Sequence, residues 1–340
     1  GGVEASPEAY PDSTYYLSSL SDSIDFSAPV KFVVHAYDQV TTKVYMAQVN
    51  IHQVVPDSMV WSMYANPMIG ITVKDQKVVT YDYNGSENYF MYVKPAESGK
   101  PYQLYYAPVS APKGWQPLSL TGLPSDGLLI SQITEYNKAL YVPATNGTLY
   151  RSEDGLTWSA VENAPSVKYV LGSVKQGTKQ PSALATIVDQ EGKLAFYAMN
   201  ESMEWIAGDA VPSGFPVTGF SNLQYAAMYH EYLMTASGRT VDNQVVNTTW
   251  ATMDGISWAL MASGDANFTK REGAMITNYD DKFFLIGGID ASNKALKDMY
   301  QSIDYGISWS LIDSMVVLPT DYADLNQLWR GRINRLIPKE

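Results

Sequence analysis

The sequence predicts an all-β chain: a six-bladed β-propeller behind a small β-sandwich-like N-terminal module. Three observations carry this reading. Tryptophans recur at Trp61, Trp115, Trp158, Trp205, Trp258 and Trp309, spaced by 54, 43, 47, 53 and 51 residues, and a period of about 50 marks blades or other arrays. Three of them close the same turn, in SEDGLTW (152–158), TMDGISW (252–258) and SIDYGISW (302–309). Helical periodicity is nearly absent, and short alternating apolar runs bounded by turn residues fill the intervals. Six tryptophans imply six blades, with five and seven as alternatives.

Residues 1–26 are polar and turn-rich, so little order is expected at the extreme start. In residues 29–53, Phe32, Val34 and Ala36 alternate with polar positions. After a turn at Asp38–Thr42, Tyr45, Ala47, Val49 and Ile51 alternate again. This is a β-hairpin, and a lone hairpin is marginal in water. It needs residues 1–28, the next domain or strands outside this sequence to pack on. The boundaries expected are 1–53 for this module and 54–340 for the propeller.

Two intervals show the blade plan. In 274–309, Ala274–Thr277 make one strand, Tyr279–Asp281 turn, and Phe283–Ile286 make the next. Gly287 and Gly288 end that strand, Ala295–Gln301 lead through the third, and a fourth leaves from Trp309. In 131–158, Ile133–Glu135, Ala139–Pro143 and Leu149–Ser152 are strands before the turn to Trp158. Residues 320–327 read as one helical turn. Residues 328–338, LWRGRINRLIP, read as an innermost strand with Trp329, Ile333 and Leu336 near its core side. Pairing it with a strand near Trp61 would close the ring and remove its open edges.

The repeated turn has a complete structural job. Asp and Ser or Thr bond nearby backbone N–H groups. Gly155, Gly255 and Gly306 suit positive φ. Trp158, Trp258 and Trp309 cover the apolar face of each hairpin. Ser152, Asp154, Thr252, Asp254, Ser302 and Asp304 are therefore read as scaffold.

Composition bounds the function. Hydrophobic residues are 46% and charged residues 17%, enough to fill a core. A net charge of −12 disfavours nucleic acid or an anionic membrane surface as partner. There is no cysteine, which excludes disulfides and thiolate metal sites. No apolar run is long enough to span a bilayer. The 25 tyrosines, with abundant Ser, Thr and Asn, fit an exported bacterial protein at the cell surface or in the periplasm.

SIDYGISW resembles the Asp-box, the S-x-D-x-G-x-x-W hairpin of BNR repeats in sialidase-like propellers. FFLIGGIDASNKALKDMY (283–300) resembles a kelch repeat. Together with the N-terminal hairpin, over residues 29–338, the chain resembles surface lipoproteins of Bacteroides-type bacteria with an immunoglobulin-like module. That resemblance implies a box on the outer rim, between third and fourth strands and away from any axial site. It leaves the activity open, because such propellers host unrelated functions.

Chemical motifs are sparse. A sialidase resemblance would require three arginines clamping a carboxylate. The six arginines here are Arg151, Arg239, Arg271, and Arg330, Arg332 and Arg335 from one strand end, with no early Arg-Ile-Pro. Glu135 and Asp281 sit near inner-strand turns, read as turn or surface carboxylates. His35, His52 and His230 share no ligand spacing. DYNGSEN (82–88) is oxygen-rich but lacks the acidic ladder of a calcium loop, and Asn84-Gly85 signals a hairpin turn. No cofactor or metal is expected.

Tyr81, Tyr83, Tyr89, Tyr92, Tyr102, Tyr105 and Tyr106 crowd the first blade. Exposed aromatic faces stack on sugars or anchor protein partners; strands also favour Tyr for its own sake. Tyr81, Tyr83 and Tyr89 are the candidate ligand contacts. The expected function is non-catalytic binding of a glycan or surface protein. The alternative is a glycoside hydrolase or lyase, sialidase-like, with an axial carboxylate site.

Overall fold

The computed structural model describes residues 2–7, 15–16, 23–38, 40–49, 59–175, 182–227, 230–264, 267–312 and 326–333, with backbone alone for 2–7, 15–16, 227 and 230. They belong to two compact units, one of them Met59–Ile333.

In the N-terminal unit, β1 (Gly2–Pro7), β2 (Tyr15–Tyr16), β3 (Val30–His35) and β4 (Thr42–Ala47) form one antiparallel sheet of order β2-β1-β3-β4. The expected hairpin is β3–β4, in register from Val30↔Ala47 to His35↔Thr42. Its turn is held by Asp38, whose Oδ1 accepts the N–H groups of Val40 and Thr41 at 3.0 and 2.8 Å. The expectation of little order at the start is corrected for residues 2–7. β1 pairs with β3 along its whole length, from Gly2↔His35 to Pro7↔Val30. The backbone ladder to β3 gives this polar segment its strand. Among the described residues this unit holds a single sheet, with no second layer of a sandwich. His52 lies outside them.

The larger unit begins with β5 (Met59–Ala65). Its first blade is β6 (Val73–Tyr83), β7 (Ser86–Pro95), β8 (Gln103–Pro108) and β9 (Gln116–Leu118). The second, entered through a 3-10 turn at Ile130–Gln132, is β10 (Thr134–Tyr136), β11 (Ala139–Pro143), β12 (Leu149–Ser152) and β13 (Ser159–Ala160). The third is β14 (Val167–Val174), β15 (Ala183–Gln190), β16 (Lys193–Met199) and β17 (Trp205–Ala210). The fourth is β18 (Ser221–Ala227), β19 (His230–Ala236), β20 (Thr249–Thr252) and β21 (Ala259–Ala262). The fifth is β22 (Met275–Tyr279), β23 (Lys282–Ile286), β24 (Met299–Ser302) and β25 (Ser310–Leu311). Each is an antiparallel meander in chain order. β26 (Leu328–Ile333) pairs with β5 in a separate two-stranded sheet, from Leu328↔Ala65 to Ile333↔Met59.

The blade count is thus five, not six, among the described residues; five was one of the alternatives. Trp115, Trp158, Trp258 and Trp309 immediately precede the fourth strand of their blades, and Trp205 begins one. Trp61 shares the spacing but lies inside β5, in the two-stranded sheet. Counting tryptophans therefore overcounts by one. β26 is correspondingly not the innermost strand of a full blade. The helical turn expected at 320–327 falls almost wholly outside the described residues.

The three repeated turns share one bonding pattern. Asp154 Oδ1 accepts Ser152 Oγ–H at 2.9 Å and the N–H groups of Leu156 and Thr157 at 2.8 and 2.7 Å. Asp254 Oδ1 does the same with Thr252, Ile256 and Ser257 at 3.0, 2.9 and 2.9 Å. The third turn has one more residue, Tyr305, at φ 61°. There Asp304 accepts Ser302 Oγ–H at 2.8 Å and both Ser308 N–H and Ser308 Oγ–H, at 2.9 and 2.5 Å.

Each turn also docks on the blade before it. A Cβ on Gly155 would lie 2.5 Å from the Phe90 ring, and one on Gly306 would lie 2.5 Å from Met234 Sδ. One on Gly255 would lie 3.2 Å from the Ala185 Cβ. Positive φ and close approach both require glycine here. Tyrosines of the preceding blade bond the turn carbonyls: Tyr92 OH to Gly155 O at 2.8 Å, Tyr81 OH to Glu153 O at 2.6 Å, and Tyr232 OH to Tyr305 O at 2.5 Å. Blade-to-blade cohesion thus combines aromatic burial with satisfied polar tips.

Candidate functional site

Two cavities of the propeller differ in their walls. The larger, about 820 Å³, lies at the seam where the first and fifth blades flank the two-stranded sheet. β5 and β26 contribute Trp61, Tyr64, Trp329 and Arg330; β7 contributes Tyr89 and the residue just before β9 is Trp115; β22 and β23 contribute Met275 and Ile286. Facing residues Val78 and Met275 remain 40% and 52% exposed, because no full blade covers them among the described residues.

Aromatic rings dominate this wall. Tyr89 and Trp115 lie 6.5 Å apart between centroids. Arg330 Nη1 donates to Tyr64 OH at 2.6 Å, while Lys113 Nζ stands 4.5 Å from the centroid of the same ring. Trp329 Nε1–H donates to Gln327 Oε1 at 2.8 Å. The indole N–H groups of Trp61 and Trp115 are buried and, among the described residues, have no hydrogen-bond partner. Among the described residues, no carboxylate lines the cavity. Such a wall stacks on a flat or apolar group and offers a few donors for orientation.

The smaller cavity, about 710 Å³, lies on the propeller axis, where β6, β10, β14, β18 and β22 all contribute to its wall. Its carboxylate is Glu135, and Lys77 and Lys175 line it too. Burial pulls the Lys77 ammonium below its ordinary range, partly offset by the Asp75 charge. Burial likewise pushes the Asp75 carboxyl up.

The three candidate tyrosines separate. Tyr89 lines both cavities. Tyr81 is buried between the first and second blades; burial first, then the charges of Glu135, Asp154 and Glu153, push its hydroxyl up to about 12. Tyr83 packs edge-on against Phe90 and Tyr106, at 5.5 and 5.6 Å. Tyr81 and Tyr83 are thereby committed to blade packing. The Ser152–Trp158, Thr252–Trp258 and Ser302–Trp309 turns bond within themselves and to neighbouring blades, and none lines either cavity. Their carboxylates are held by their own turns. Burial pushes Asp154 upward, but bonds from Thr157, Leu156 and Ser152 outweigh it and hold it below its ordinary range. Asp304 follows suit: burial is outweighed by Ser308 and Ser302.

Other sequence candidates resolve into structure. Arg271, fully buried, forms a bidentate pair with Asp298 at 2.7 and 3.0 Å and lies 5.0 Å from the Tyr300 ring centroid. Arg239 is held by both oxygens of Glu272, and Arg151 pairs with Glu153 at 2.8 Å. These three do not form a carboxylate clamp. The 82–88 stretch folds as a two-residue turn with Asn84 and Gly85 at φ 55° and 72°. Trp61 and Trp115 entered the sequence reading only as repeat markers, and Tyr64 and Lys77 not at all. Their alternation on strands was visible, but which strand would border a gap was not.

The fold and the seam are those of a β-propeller. The chain belongs to the family described as the DUF6242 beta propeller domain, whose family model matches residues 55–327. A second family model, the domain of unknown function DUF6242 N-terminal domain, matches residues 1–49. The search of curated proteins finds no match. A solved structure described as "Structure of YjhT" is similar at 12% identity and a TM-score of 0.48, covering 84% of this chain and 91% of that one.

Proposed function

We propose that this chain is a non-catalytic binding propeller whose seam cavity receives an apolar or aromatic part of a glycan or protein partner. The observation that carries this is the wall itself. Trp61, Tyr64, Tyr89, Trp115 and Trp329 border one cavity of about 820 Å³ that, among the described residues, no carboxylate lines. Glycoside hydrolysis needs two carboxylates about 5–10 Å apart. The axial cavity supplies one, Glu135. The three hydrogen-bonded turns act in this reading as Asp-boxes, scaffold rather than site. The tyrosine-rich composition, with abundant Ser, Thr and Asn, supports an exported, surface-exposed chain.

Glycan-array screening followed by calorimetry tests the proposal. A partner bound through the seam should lose about tenfold or more in affinity on Trp115→Ala or Tyr89→Ala, as for a buried aromatic anchor. The melting temperature should shift little. Turnover of a screened polysaccharide that disappears on Glu135→Gln and survives Trp115→Ala would replace the binding reading with an enzymatic one.

A further inference from the structure

The axial cavity differs in chemistry from the seam. All five blades reach it through their first strands: Lys77 and Thr80 from β6, Glu135 from β10, Ser173 from β14 with Lys175 just beyond, Asn222 and Gln224 from β18, and Thr277 from β22. Lys77 also lines an adjoining cavity of about 420 Å³. In a chain of net charge −12, this wall carries two lysines and one glutamate.

The amides here are already in use. Asn222 Nδ2–H donates to Leu171 O at 2.8 Å, and Gln224 Oε1 accepts Lys175 N–H at 3.2 Å. Both tie the fourth blade to the third. Glu135 Oε1 accepts the Lys138 N–H at 3.2 Å, within its own hairpin. By contrast, among the described residues neither lysine ammonium has an ion-pair partner, and the hydroxyls of Thr80, Ser173 and Thr277 have no hydrogen-bond partner. Two lysines without a salt bridge, Lys77 within reach of the Asp75 charge, and three hydroxyls without a hydrogen-bond partner, from the first, third and fifth blades, surround one space. Ammonium groups favour a carboxylate as point charges. Hydroxyls both donate and accept, matching the hydroxyls of a polyol. A cavity of about 710 Å³ suits one small molecule.

We propose that the axial cavity binds a small polyhydroxylated carboxylate, a sugar acid, with Lys77 and Lys175 on the carboxylate and Thr80, Ser173 and Thr277 on hydroxyls. This site shares Val78 and Tyr89 with the seam wall, but its lysines and hydroxyls do not line the seam, and the proposal does not rest on the seam's occupant.

Calorimetry on the full chain tests it with galacturonate, glucuronate and gluconate as probes, galactose as the uncharged control and acetate as the carboxylate without hydroxyls. At least one sugar acid should bind saturably, galactose should not, and acetate should bind more weakly. Lys77→Gln and Lys175→Gln should each weaken that binding about tenfold or more, the size of a charge-assisted hydrogen bond. Lys270→Gln, an exposed lysine outside the cavity, should leave it unchanged. Glu135→Gln removes a like charge and should strengthen binding about twofold or more, a gain that a misfolded variant cannot produce. Three results would each overturn the proposal: no binding of any of the three acids, galactose binding as tightly as the acids, or Lys77→Gln and Lys175→Gln behaving like Lys270→Gln.

Discussion

Two seams of the same ring use similar residues to opposite ends. Between the first and second blades, the 152–158 turn drives Gly155 against the Phe90 ring, and Tyr81 and Tyr92 spend their hydroxyls on its carbonyls. Trp158 is 3% exposed there and packs edge-on to Tyr92 at 5.7 Å. Between the fifth blade and the first, among the described residues, a two-stranded sheet takes the place of a four-stranded one. Trp61, Trp115 and Trp329 line a cavity there, Trp61 while also packing on Phe284, Ile286 and Met299 of the fifth blade. The aromatic supply is comparable; what differs is whether a docked turn consumes it. The proposed binding wall lies at the seam where, among the described residues, a four-stranded blade is lacking.

If the docked turns are scaffold, the largest losses should come from their tryptophans. Trp309→Ala should destabilise the propeller by about 3–5 kcal/mol, as expected for a large aromatic truncated in a packed core; Trp309 is 5% exposed and packs edge-on to Phe268 at 5.7 Å. Urea denaturation measures this, and a loss below about 1 kcal/mol would break the contrast between seams.

A smaller effect is expected at the carboxylate. Asp304→Ala should cost about 1–2 kcal/mol through the lost turn bonds. Asp304 and Asp154 are held below the ordinary 3.8 when folded. Their contribution is therefore present above the unfolded value and is lost as pH falls through the lower folded one. Melting temperature followed from about pH 5 down to about pH 2 should drop less steeply in Asp304→Ala than in the parent chain. An identical acid slope in the two would show that this turn does not couple to global stability.

The docked half of this contrast was legible in the sequence. Asp, Gly and Trp at fixed offsets describe a turn whose bonds are local, so Ser152–Trp158, Thr252–Trp258 and Ser302–Trp309 could be read directly. The strands of 131–158 and 274–309 followed from alternation. The open half was not. Trp61 keeps the period of a blade marker, and nothing local distinguishes a strand with one partner from a strand with two. Tyr81 and Tyr89 look alike in sequence, yet one faces the next blade and the other the gap. Lys77 reads as an ordinary strand lysine, because only closure of the ring turns it onto the axis. β1 was missed because it borrows its order from β3.

Trp115 and Trp158 give the most direct test, since they hold equivalent places before the fourth strands of adjacent blades and border opposite kinds of seam. The probe is 1-anilinonaphthalene-8-sulfonate, titrated by fluorescence against native protein, with each variant's melting temperature recorded alongside. The account predicts saturable dye binding by the parent chain, loss of it in Trp115→Ala with a small melting shift, and a large melting shift in Trp158→Ala with dye binding retained by the folded fraction. No dye binding by the native parent, or a large melting shift in Trp115→Ala equal to that of Trp158→Ala, would contradict the claim that the incomplete seam is the binding site.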